Sequence, residues 1–578
     1  MKLLSLHCDY IKYEAVKKAL KNASLEVGQE GKHEIKEPLV ILTAVEKGDS
    51  LATVKPYVDN IKDIAGQVKA KKIVLYPYAH LSSNLASPEI AVEILREAEK
   101  QLKKDFDVTR APFGYYKEFE LKCKGHPLAE LSREISLEDR KVEVLRTNKG
   151  KELVVEENYN PEQLLRQISR TKLDTSKLKD NDHRIIGQQL DLWSFNEVAP
   201  GMVFWHDKGL VIYNELANFW REEHKKAEFQ EISTPQILDK KLWQISGHWD
   251  KYKENIFLTK YEGRDFAVKP MNCPGGMLVY KTSPKSYKDL PLRVAELGIV
   301  HRQELSGVLA GLFRVIRITQ DDAHIFCADE NQIEGEVCRI IEMINYFYDK
   351  FNLEFDHVEL STRPEKRIGT DKQWDIAESI LENVLKKLKM KYKINNGDGA
   401  FYGPKIDFHA KDSQGRTWQL STIQLDFAMP ERFDLTYTDK DNKEKRPIML
   451  HRVVYGALER FIGVLTEHLN GNFPLWLSPN QVKILTLTDR NIEFAEIVYE
   501  KLKEEGIRVE LDKRTETMDK KVRDAQLHKF NYMITIGDKE EEANTIAVRK
   551  RGLNEKPKFG IKLEDFISQI KEEIRERK

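Results

Sequence analysis

Apolar and polar positions alternate with two different periods along residues 1–145. Runs of period two predict strands, and stretches in which apolar residues recur every three or four positions predict helices. The predicted strands are Lys2–His7, Leu39–Val45 and Lys72–Tyr76, and the predicted helices are Tyr13–Lys21, Val54–Ala70 and Pro88–Lys104. The alternation of strands and helices along the chain indicates a compact α/β domain.

Residues 146–185 lose this pattern. They are charged and weakly periodic, with a helical pattern only around residues 161–168. Segments that cannot bury an apolar face are typical of connections between domains. We interpret residues 146–185 as a linker.

Residues 186–475 form the longest patterned region and are rich in aromatic residues. Strand-like segments occur at Arg293–His301, Arg314–Phe326 and Thr417–Asp426. Their composition favours an antiparallel sheet flanked by helices. The catalytic chemistry is expected in this region.

Residues 476–578 predict a second small α/β domain. The predicted strands are Val482–Thr486, Arg508–Asp512, Tyr532–Ile536 and Thr545–Arg549, with helices that reach Glu505 and Gln526 and a last helix from Leu563. The predicted fold class is therefore multidomain, of α/β and α+β type.

Charge and composition narrow the possible functions. The 578 residues include 94 Lys and Arg and 94 Asp and Glu, so the net charge is +0 and any nucleic-acid surface must be local. Hydrophobic residues make up 40% and charged residues 33%, and no apolar run approaches the ~20 residues that a membrane span needs. Five cysteines without a CxxC pair, and an acidic residue as early as Asp9, predict a cytoplasmic protein.

A polar strand face indicates a candidate pocket. Gln320, Asp322 and His324 follow one another at period two, so on a strand their side chains share one face. Cys273 and His451 add two more metal-ligand types, and a Cys-His-His set leaves a fourth zinc position open, as in catalytic sites. The alternative is a buried free cysteine with two hydrogen-bonding histidines.

Two arginines lie near glycines between the predicted strands. Arg302 and Arg314 flank Gly307 and Gly311, and guanidinium groups can grip phosphate or carboxylate oxygens with two parallel hydrogen bonds. Surface salt bridging is the alternative role.

These residues stand within a longer ordered set of motifs. The set comprises Glu231-Ile-Ser-Thr-Pro235, Arg302 with Glu304, Gly456-Ala-Leu-Glu-Arg460, Met271-Asn-Cys-Pro-Gly275, Thr319-Gln-Asp-Asp-Ala-His-Ile-Phe326, Phe401-Tyr-Gly-Pro-Lys405, Gln424-Leu-Asp-Phe427 and His451-Arg452. The first three resemble the signature motifs of class II aminoacyl-tRNA synthetases, and the others narrow the resemblance to threonyl-tRNA synthetases. The resemblance implies a class II antiparallel-sheet core that activates L-threonine with ATP, releases pyrophosphate and transfers threonine to the 3′ end of tRNA(Thr).

The resemblance also implies roles for single residues. It places zinc on Cys273, His324 and His451, and ATP with Mg²⁺ on Arg302, Glu304, Arg314 and Arg460. Lys405 would add charge near the departing pyrophosphate, so that Arg302, Lys405 and Arg460 stabilise the transition state. His248 would act as the general base in transfer to tRNA, or would only order its loop.

Selection of threonine follows from a zinc site with an open position. Threonine can bind through its amino group and hydroxyl, with Asp322 accepting the hydroxyl proton and with Gln320, Tyr402 and Gln424 ordering the amino end. Valine cannot do so, but serine can, because it lacks only a methyl group worth about 1–3 kcal/mol. Mischarging with serine is therefore expected, and a second site should remove it.

Residues 1–145 resemble the editing domain of archaeal-type threonyl-tRNA synthetases, which is similar to D-aminoacyl-tRNA deacylases. The resemblance rests on Tyr78-Ala-His-Leu-Ser-Ser83, Pro112-Phe-Gly-Tyr-Tyr-Lys117 and Cys123-Lys-Gly-His-Pro-Leu-Ala-Glu130. It implies an editing pocket formed by His80, Tyr116, Lys117 and Glu130.

The last domain, residues 476–578, resembles the anticodon-binding domain of several class II synthetases. That resemblance places Arg523, Glu540 and Arg549 at tRNA contacts, and the segment around Pro235 implies a homodimer. Two other functions stay open. One is a synthetase-like regulator that binds threonine or RNA without charging tRNA; the other is a ligase for serine or proline.

Overall fold

The computed structural model describes residues 1–20, 24–26, 28–82, 84–126, 128–135, 142–146, 152–156, 165, 178–552 and 556–577. These residues divide into two compact units, Met1–Leu164 and Leu165–Lys578. Much of the predicted linker, residues 147–151, 157–164 and 166–177, lies outside the described residues.

The first unit is built on a seven-stranded sheet with the order β2-β1-β3-β4-β5, in which β6 and β7 also pair with β1. Its elements are β1 (Lys2–Lys18), β2 (Lys32–Lys36), β3 (Pro38–Ala44), α1 (Val54–Val68), β4 (Lys72–Pro77), α2 (Pro88–Leu102), β5 (Asp107–Arg110), β6 (Tyr115–Cys123), β7 (Glu130–Glu134), β8 (Val142–Arg146) and β9 (Glu152–Glu156). Helices α1 and α2 pack on one face through a buried aliphatic core that includes Ile61, Ile64 and Leu95.

The helix predicted over Tyr13–Lys21 is wrong. Strand β1 continues to Lys18 and pairs with β2 on one side and β6 on the other. Ile11 and Tyr13 are buried while Lys12 between them is exposed, which is the period of a strand. The lysines that follow carry no apolar pattern, so pairing with two neighbouring strands decides the structure here.

The first part of the second unit is built around an eight-stranded sheet and includes shorter strands outside that sheet. Its elements are α3 (His183–Gln189), β10 (Trp193–Ser194), β11 (Phe204–Trp205), α4 (Asp207–Lys226), β12 (Gln230–Glu231), β13 (Ile237–Asp239), α5 (Lys240–Ser246), α6 (His248–Tyr252), β14 (Leu258–Tyr261), β15 (Arg264–Val268), α7 (Cys273–Tyr280), β16 (Leu292–His301), β17 (Arg317–Cys327), α8 (Glu330–Lys350), β18 (Glu354–Ser361), α9 (Asp371–Lys387), β19 (Lys393–Asn395), β20 (Lys405–Lys411), β21 (Thr417–Asp426), α10 (Ala428–Arg432), β22 (Tyr437–Thr438), β23 (Glu444–Lys445), β24 (Ile448–Val453) and α11 (Leu458–His468). The strand order is β12-β16-β17-β24-β21-β20-β18-β19, antiparallel except at its two ends.

One face of this sheet carries the main hydrophobic core. Ala323, Ile325, Ile423 and Leu450 point into it, together with the apolar face of α8. Because side chains alternate across a strand, the residues between them point to the opposite face, which is polar.

The remaining residues form a five-stranded sheet with the order β26-β25-β27-β28-β29. Its elements are β25 (Val482–Thr486), α12 (Ile492–Glu504), β26 (Val509–Asp512), α13 (Met518–Leu527), β27 (Tyr532–Ile536), α14 (Asp538–Glu542), β28 (Ile546–Lys550), β29 (Lys558–Ile561) and α15 (Leu563–Arg575). The predicted strands and helices of this region are present within about two residues. Of the helices in the described ranges, none combines the length and the apolar character that crossing a membrane would require.

Candidate active site

A row of polar residues crosses four strands of the eight-stranded sheet. In register, His324 of β17 faces His451 of β24, His451 faces Gln424 of β21, and Gln424 faces Lys405 of β20. Antiparallel neighbours in register have Cβ atoms about 5 Å apart. Residues more than 120 positions apart in sequence therefore meet on one face.

The three predicted metal ligands lie together at one end of this row. One ligand atom each from Cys273, His324 and His451 lie within 4.8 Å of one another, and all three residues are buried. Cys273 starts α7, in which Pro274 suits the first helical turn.

The hydrogen bonds of these ligands fit a metal ion. His451 Nε2 lies 2.8 Å from Asp426 Oδ2, whereas the buried His324 Nε2 has no hydrogen-bond partner among the residues that the structure describes. Burial, with Asp322 and Asp426 nearby, raises the pKa of the Cys273 thiol. A divalent cation would satisfy the histidine nitrogen and offset the charge of the carboxylates, and one thiolate with two imidazoles suits zinc.

A cavity of about 190 Å³ opens beside this cluster. Its lining residues are Met271, Cys273, Arg302, Gln320, Asp322, Tyr402, Thr422, Gln424, His451, Arg452 and Val453. All four residues predicted to bind threonine are among them. His324 lies buried behind the lining.

Close backbone approach helps to hold the floor of this cavity. Asn272 Nδ2 lies 3.4 Å from Asp322 Oδ2, and a Cβ atom on Gly298 would lie 2.2 Å from Asn272 Oδ1. Only glycine therefore allows the asparagine to reach across β16 to Asp322.

The predicted phosphate-binding residues form a second group, and one of them, Arg302, also lines the cavity. Arg314 pairs with Glu304 at 2.9 Å, and Arg460 donates through Nε to Phe313 O at 2.9 Å. Burial, followed by the charges of Arg314 and Arg302, lowers the pKa of Arg460. Three guanidinium groups close enough to repel one another form a place where an anion is favoured.

Lys405 and His248 lie near the cavity without lining it. Lys405 Nζ donates to Asp407 Oδ2 at 2.5 Å and to Asp398 Oδ2 at 2.9 Å. The His248 imidazole is fully buried, with Nδ1 2.8 Å from Ser246 Oγ, and burial lowers its pKa to about 3. The imidazole is therefore neutral at pH 7.

Sequence reasoning missed the role of Asp321. Its carboxylate accepts hydrogen bonds from the backbone N–H groups of Val454, Tyr455 and Gly456, at 2.8 Å, 3.0 Å and 2.8 Å. Asp321 thus ties β17 to the turn that leads into α11 and Arg460. The Asp-Asp pair was a usable signal, because consecutive strand residues face opposite sides and a second carboxylate must find its own partners.

The first unit contains a separate cavity of about 430 Å³. His80, Tyr116 and Lys117 line it, whereas Glu130 is exposed at the start of β7 and lies outside the lining. Lys117 Nζ donates to Pro112 O at 2.9 Å and to Tyr115 O at 3.2 Å, and lies 4.9 Å from the centre of the Tyr76 ring. Burial lowers the pKa of Lys117 to about 8.

The three predicted tRNA contacts of the last domain lie on different elements. Arg523 is exposed on α13, Glu540 accepts from the Gly537 N–H at 3.0 Å, and Arg549 lies on β28. Within the described residues no hydrogen bond or ion pair joins them.

Three family models match the chain. Residues 1–135 match the archaea-specific editing domain of threonyl-tRNA synthetase, residues 257–469 the class II tRNA synthetase core domain (G, H, P, S and T), and residues 481–573 an anticodon-binding domain. These matches confirm the predicted fold class, in which an editing domain, a class II core and an anticodon-binding domain combine.

Curated and solved relatives agree with these matches. The threonine–tRNA ligase of Carboxydothermus hydrogenoformans is 54% identical over 403 residues, and that of Desulforamulus reducens is 55% identical over 399 residues; each match covers 69% of this chain. The chain spans 62% of the length of each. The crystal structure of the RNA-binding domain of threonyl-tRNA synthetase from Cryptosporidium parvum is 40% identical, with a TM-score of 0.65, and the match covers 68% of this chain and 98% of that one.

Proposed function

The chain belongs to the threonyl-tRNA synthetase family, and from that membership we propose that it is a threonine–tRNA ligase. It activates L-threonine with ATP and Mg²⁺, releases pyrophosphate, and transfers threonine to the 3′ end of tRNA(Thr). The observation that carries the proposal is one cavity lined by Arg302, by the polar residues Gln320, Asp322 and Gln424, and by two members of the Cys-His-His cluster.

In the first step the threonine carboxylate oxygen attacks the α-phosphorus of ATP, and the bond from that phosphorus to the pyrophosphate oxygen breaks. Two anions approach one another, so fixed cations supply much of the catalysis. Arg302, which lines the cavity, is assigned to both the α-phosphate and the carboxylate. Arg314 and Arg460 hold the outer phosphates, and Lys405 adds positive charge on the β20 side.

In the amino-acid pocket, Cys273, His324 and His451 would hold a zinc ion, which would supply a Lewis acid for the amino group and hydroxyl of threonine. Asp322 accepts the hydroxyl proton, while Gln320, Tyr402 and Gln424 orient the amino end. Asp426 orients the imidazole of His451. An apolar pocket would separate threonine from valine only about 10²-fold, whereas a site that requires the hydroxyl reaches about 10⁴- to 10⁵-fold.

Transfer to tRNA needs a base for the ribose hydroxyl, and His248 is the candidate. Its alternative role is to order the loop through its hydrogen bond with Ser246. Because the imidazole is buried, the arriving 3′ end must displace the side chains around it before His248 can accept a proton.

Pyrophosphate exchange across amino acids tests the ligase proposal. We expect exchange to be fastest with threonine, about 10- to 200-fold lower with serine, and about 10⁴- to 10⁵-fold lower with valine. Exchange with no amino acid would favour the regulator, and faster exchange with serine or proline would favour the other ligases.

We further propose that the first unit hydrolyses seryl-tRNA(Thr). Water attacks the ester carbonyl, and serine and free tRNA are released. Lys117 is the central residue. Its Nζ donates two hydrogen bonds to backbone carbonyl groups, and its third N–H group is available to the substrate. The cavity must accept the serine side chain and exclude the extra methyl group of threonine.

Changing Lys117 to alanine should abolish this deacylation while threonine charging stays unchanged. Lys122→Ala is the matched control, since Lys122 lies on the same strand, is exposed and pairs with Asp9 at 3.1 Å. The measurement is hydrolysis of pre-formed seryl-tRNA and threonyl-tRNA by the full chain. Equal hydrolysis of both esters by the unchanged protein, or unchanged activity in Lys117→Ala, would contradict the editing role.

The pH dependence gives a second readout of Lys117. Since its pKa is lowered to about 8, the side chain is charged below that pH and loses its proton above it. If the ammonium group donates to the substrate, enzymatic deacylation corrected for spontaneous hydrolysis should fall as the pH rises through about 8. A rise through the same range would show that the neutral amine acts instead.

We propose tRNA contacts at Arg523, Glu540 and Arg549, a homodimer, and a cytoplasmic location. Strand β12 lies at the edge of the eight-stranded sheet, and beyond it Pro235 is exposed and Ile237 is 57% exposed, which supports a subunit contact there. The five cysteines are all free, as in a reducing compartment.

A further inference from the structure

A second group of metal-ligand side chains lies away from the cavity, on strands β18 and β20. One ligand atom each from His357, Glu359 and His409 lie within 4.8 Å of one another. Their side chains are 20%, 20% and 17% exposed, so each is largely covered but within reach of solvent ions.

The backbone brings these three residues together. His357 faces His409 in register, and Glu359 lies two positions along from His357 on the same face of the sheet. Each histidine directly follows a β-bulge, one between Phe355 and His357 and the other between Phe408 and His409. Bulges re-aim side chains and are common beside functional sites.

The hydrogen bonds of the cluster leave acceptor atoms that a cation could bind. His357 Nδ1 lies 2.7 Å from Asp356 Oδ2, and because a carboxylate only accepts, this nitrogen carries the proton. In a neutral ring the lone pair of Nε2 then faces Glu359 Oε1 at 3.1 Å. His409 Nε2 is buried 3.7 Å from Glu359 Oε2, and no described residue forms a hydrogen bond with it.

The charge of Glu359 is also not balanced by a basic side chain. Asn395 Nδ2 donates to Glu359 Oε2 at 2.9 Å, but in the described ranges neither lysine nor arginine pairs with this carboxylate. The rings of His357 and His409 are stacked, with centroids 4.3 Å apart and planes 9° apart, so both nitrogens and the carboxylate can bind one ion once a ring turns out of the stack.

The cluster of His183 and Glu467 is similar in composition, but all of its ring nitrogens and its carboxylate have partners. His183 Nδ1 lies 2.6 Å from Glu467 Oε1, and its Nε2 accepts from the Leu312 N–H at 2.9 Å. Glu467 also pairs with Arg416. Every ring nitrogen is paired and the carboxylate is neutralised, so that cluster is complete without a metal.

We propose that His357, Glu359 and His409 bind a divalent transition-metal ion at a site separate from that of Cys273. Zinc is the first candidate. Two imidazoles and one carboxylate are a donor set that zinc prefers. Asp356 fits the outer position, in which a carboxylate orients a ligating histidine through its other ring nitrogen.

The bound ion would join β18 to β20 on the face that carries the active-site row. Along β20, Ile406, Phe408 and Ala410 enter the hydrophobic core, so Lys405, Asp407 and His409 share the opposite face. A metal at His409 thus anchors the strand that presents Lys405.

Cobalt titration of the full chain, stripped of metal with a chelator, tests this site. Co²⁺ bound by a thiolate shows intense sulfur-to-metal charge-transfer absorption, whereas Co²⁺ bound by two histidines and a carboxylate shows only weak d–d bands. We expect two equivalents per chain, one of each spectral type. Cys273→Ala should lose the first type and keep the second.

Two variants locate the second equivalent. His409→Ala and the isosteric Glu359→Gln should each lose it, with the charge-transfer band retained as evidence of an intact fold, and Asp356→Asn should weaken it by about 10- to 100-fold. His206→Ala is the matched control, because His206 pairs with Asp191 at 2.6 Å and Ser194 at 3.0 Å but belongs to none of the ligand clusters found in the described ranges. Binding of only the thiolate-type equivalent, or a second equivalent that survives both His409→Ala and Glu359→Gln, would overturn the proposal.

Discussion

Changing Cys273 to alanine is expected to remove one equivalent of zinc and to lower threonine activation by about 10²- to 10³-fold. The ion would supply several kcal/mol of binding in the transition state, and each ~1.4 kcal/mol is a factor of ten. Selectivity should fall as well, because a pocket without the metal recognises threonine by shape alone. The preference for threonine over valine should drop from about 10⁴-fold or more to about 10²-fold or less.

Measurement of pyrophosphate exchange with threonine and valine, together with elemental analysis, separates these effects. Cys327→Ala is the control, since Cys327 is fully buried in the hydrophobic core and is not part of the metal cluster. Its substitution should leave the zinc content and the selectivity unchanged. Full activity in Cys273→Ala, or protein that contains no zinc before substitution, would refute the assignment.

Changing Arg302 to alanine should lower kcat/KM for pyrophosphate exchange by about 10²- to 10³-fold and leave zinc bound. Arg302 lines the cavity and donates through Nε to Pro270 O at 3.2 Å, which holds the guanidinium at the junction of the amino-acid and phosphate groups. Its loss removes a fixed cation from the place where charge develops. Glutamine or lysine should restore little, because neither offers the same pair of parallel donors.

Arg221→Ala is the matched control for charge. Arg221 is exposed and pairs with Glu231 at 3.0 Å, a surface pair whose loss costs about 0–1 kcal/mol. Exchange within a few-fold of the unchanged protein in Arg302→Ala would show that the phosphate role is misassigned. A parallel fall in zinc content would show instead that the substitution disturbs the pocket as a whole.

Much of the fold could be predicted because local pattern and tertiary pairing agree. Strands β3, β16 and β21 are apolar on at least one face, so a run of residues with one period indicates them. Strand β1 shows the limit: its second half is polar, and only the neighbouring strands β2 and β6 make it a strand. Such pairing between distant segments leaves no mark on the local sequence.

Only those residues of the candidate site that belong to sequence motifs could be predicted. Gln320, Asp322 and His324 stand at strand spacing, but no periodicity connects them with Cys273 or His451. His451 meets them through strand pairing, and Cys273 is brought to them at the start of helix α7. The supporting contacts are further from prediction still. Asp426 beside His451, and Asp407 beside Lys405, are carboxylates that the local sequence does not distinguish from surface residues.

The neighbours Asp321 and Asp322 give β17 an unusual constraint on its length. One carboxylate faces the cavity, and the other holds the backbone of the turn that precedes Arg460. Inserting or deleting one residue before them would rotate the strand by half a repeat and exchange the two side chains, so that both contacts would be lost in a single event. A substitution at another position of β17 changes the contacts of one side chain, whereas a change in the spacing of this segment removes both carboxylate contacts together. Change in this strand during evolution should therefore run through replacement of side chains and never through single-residue insertions or deletions.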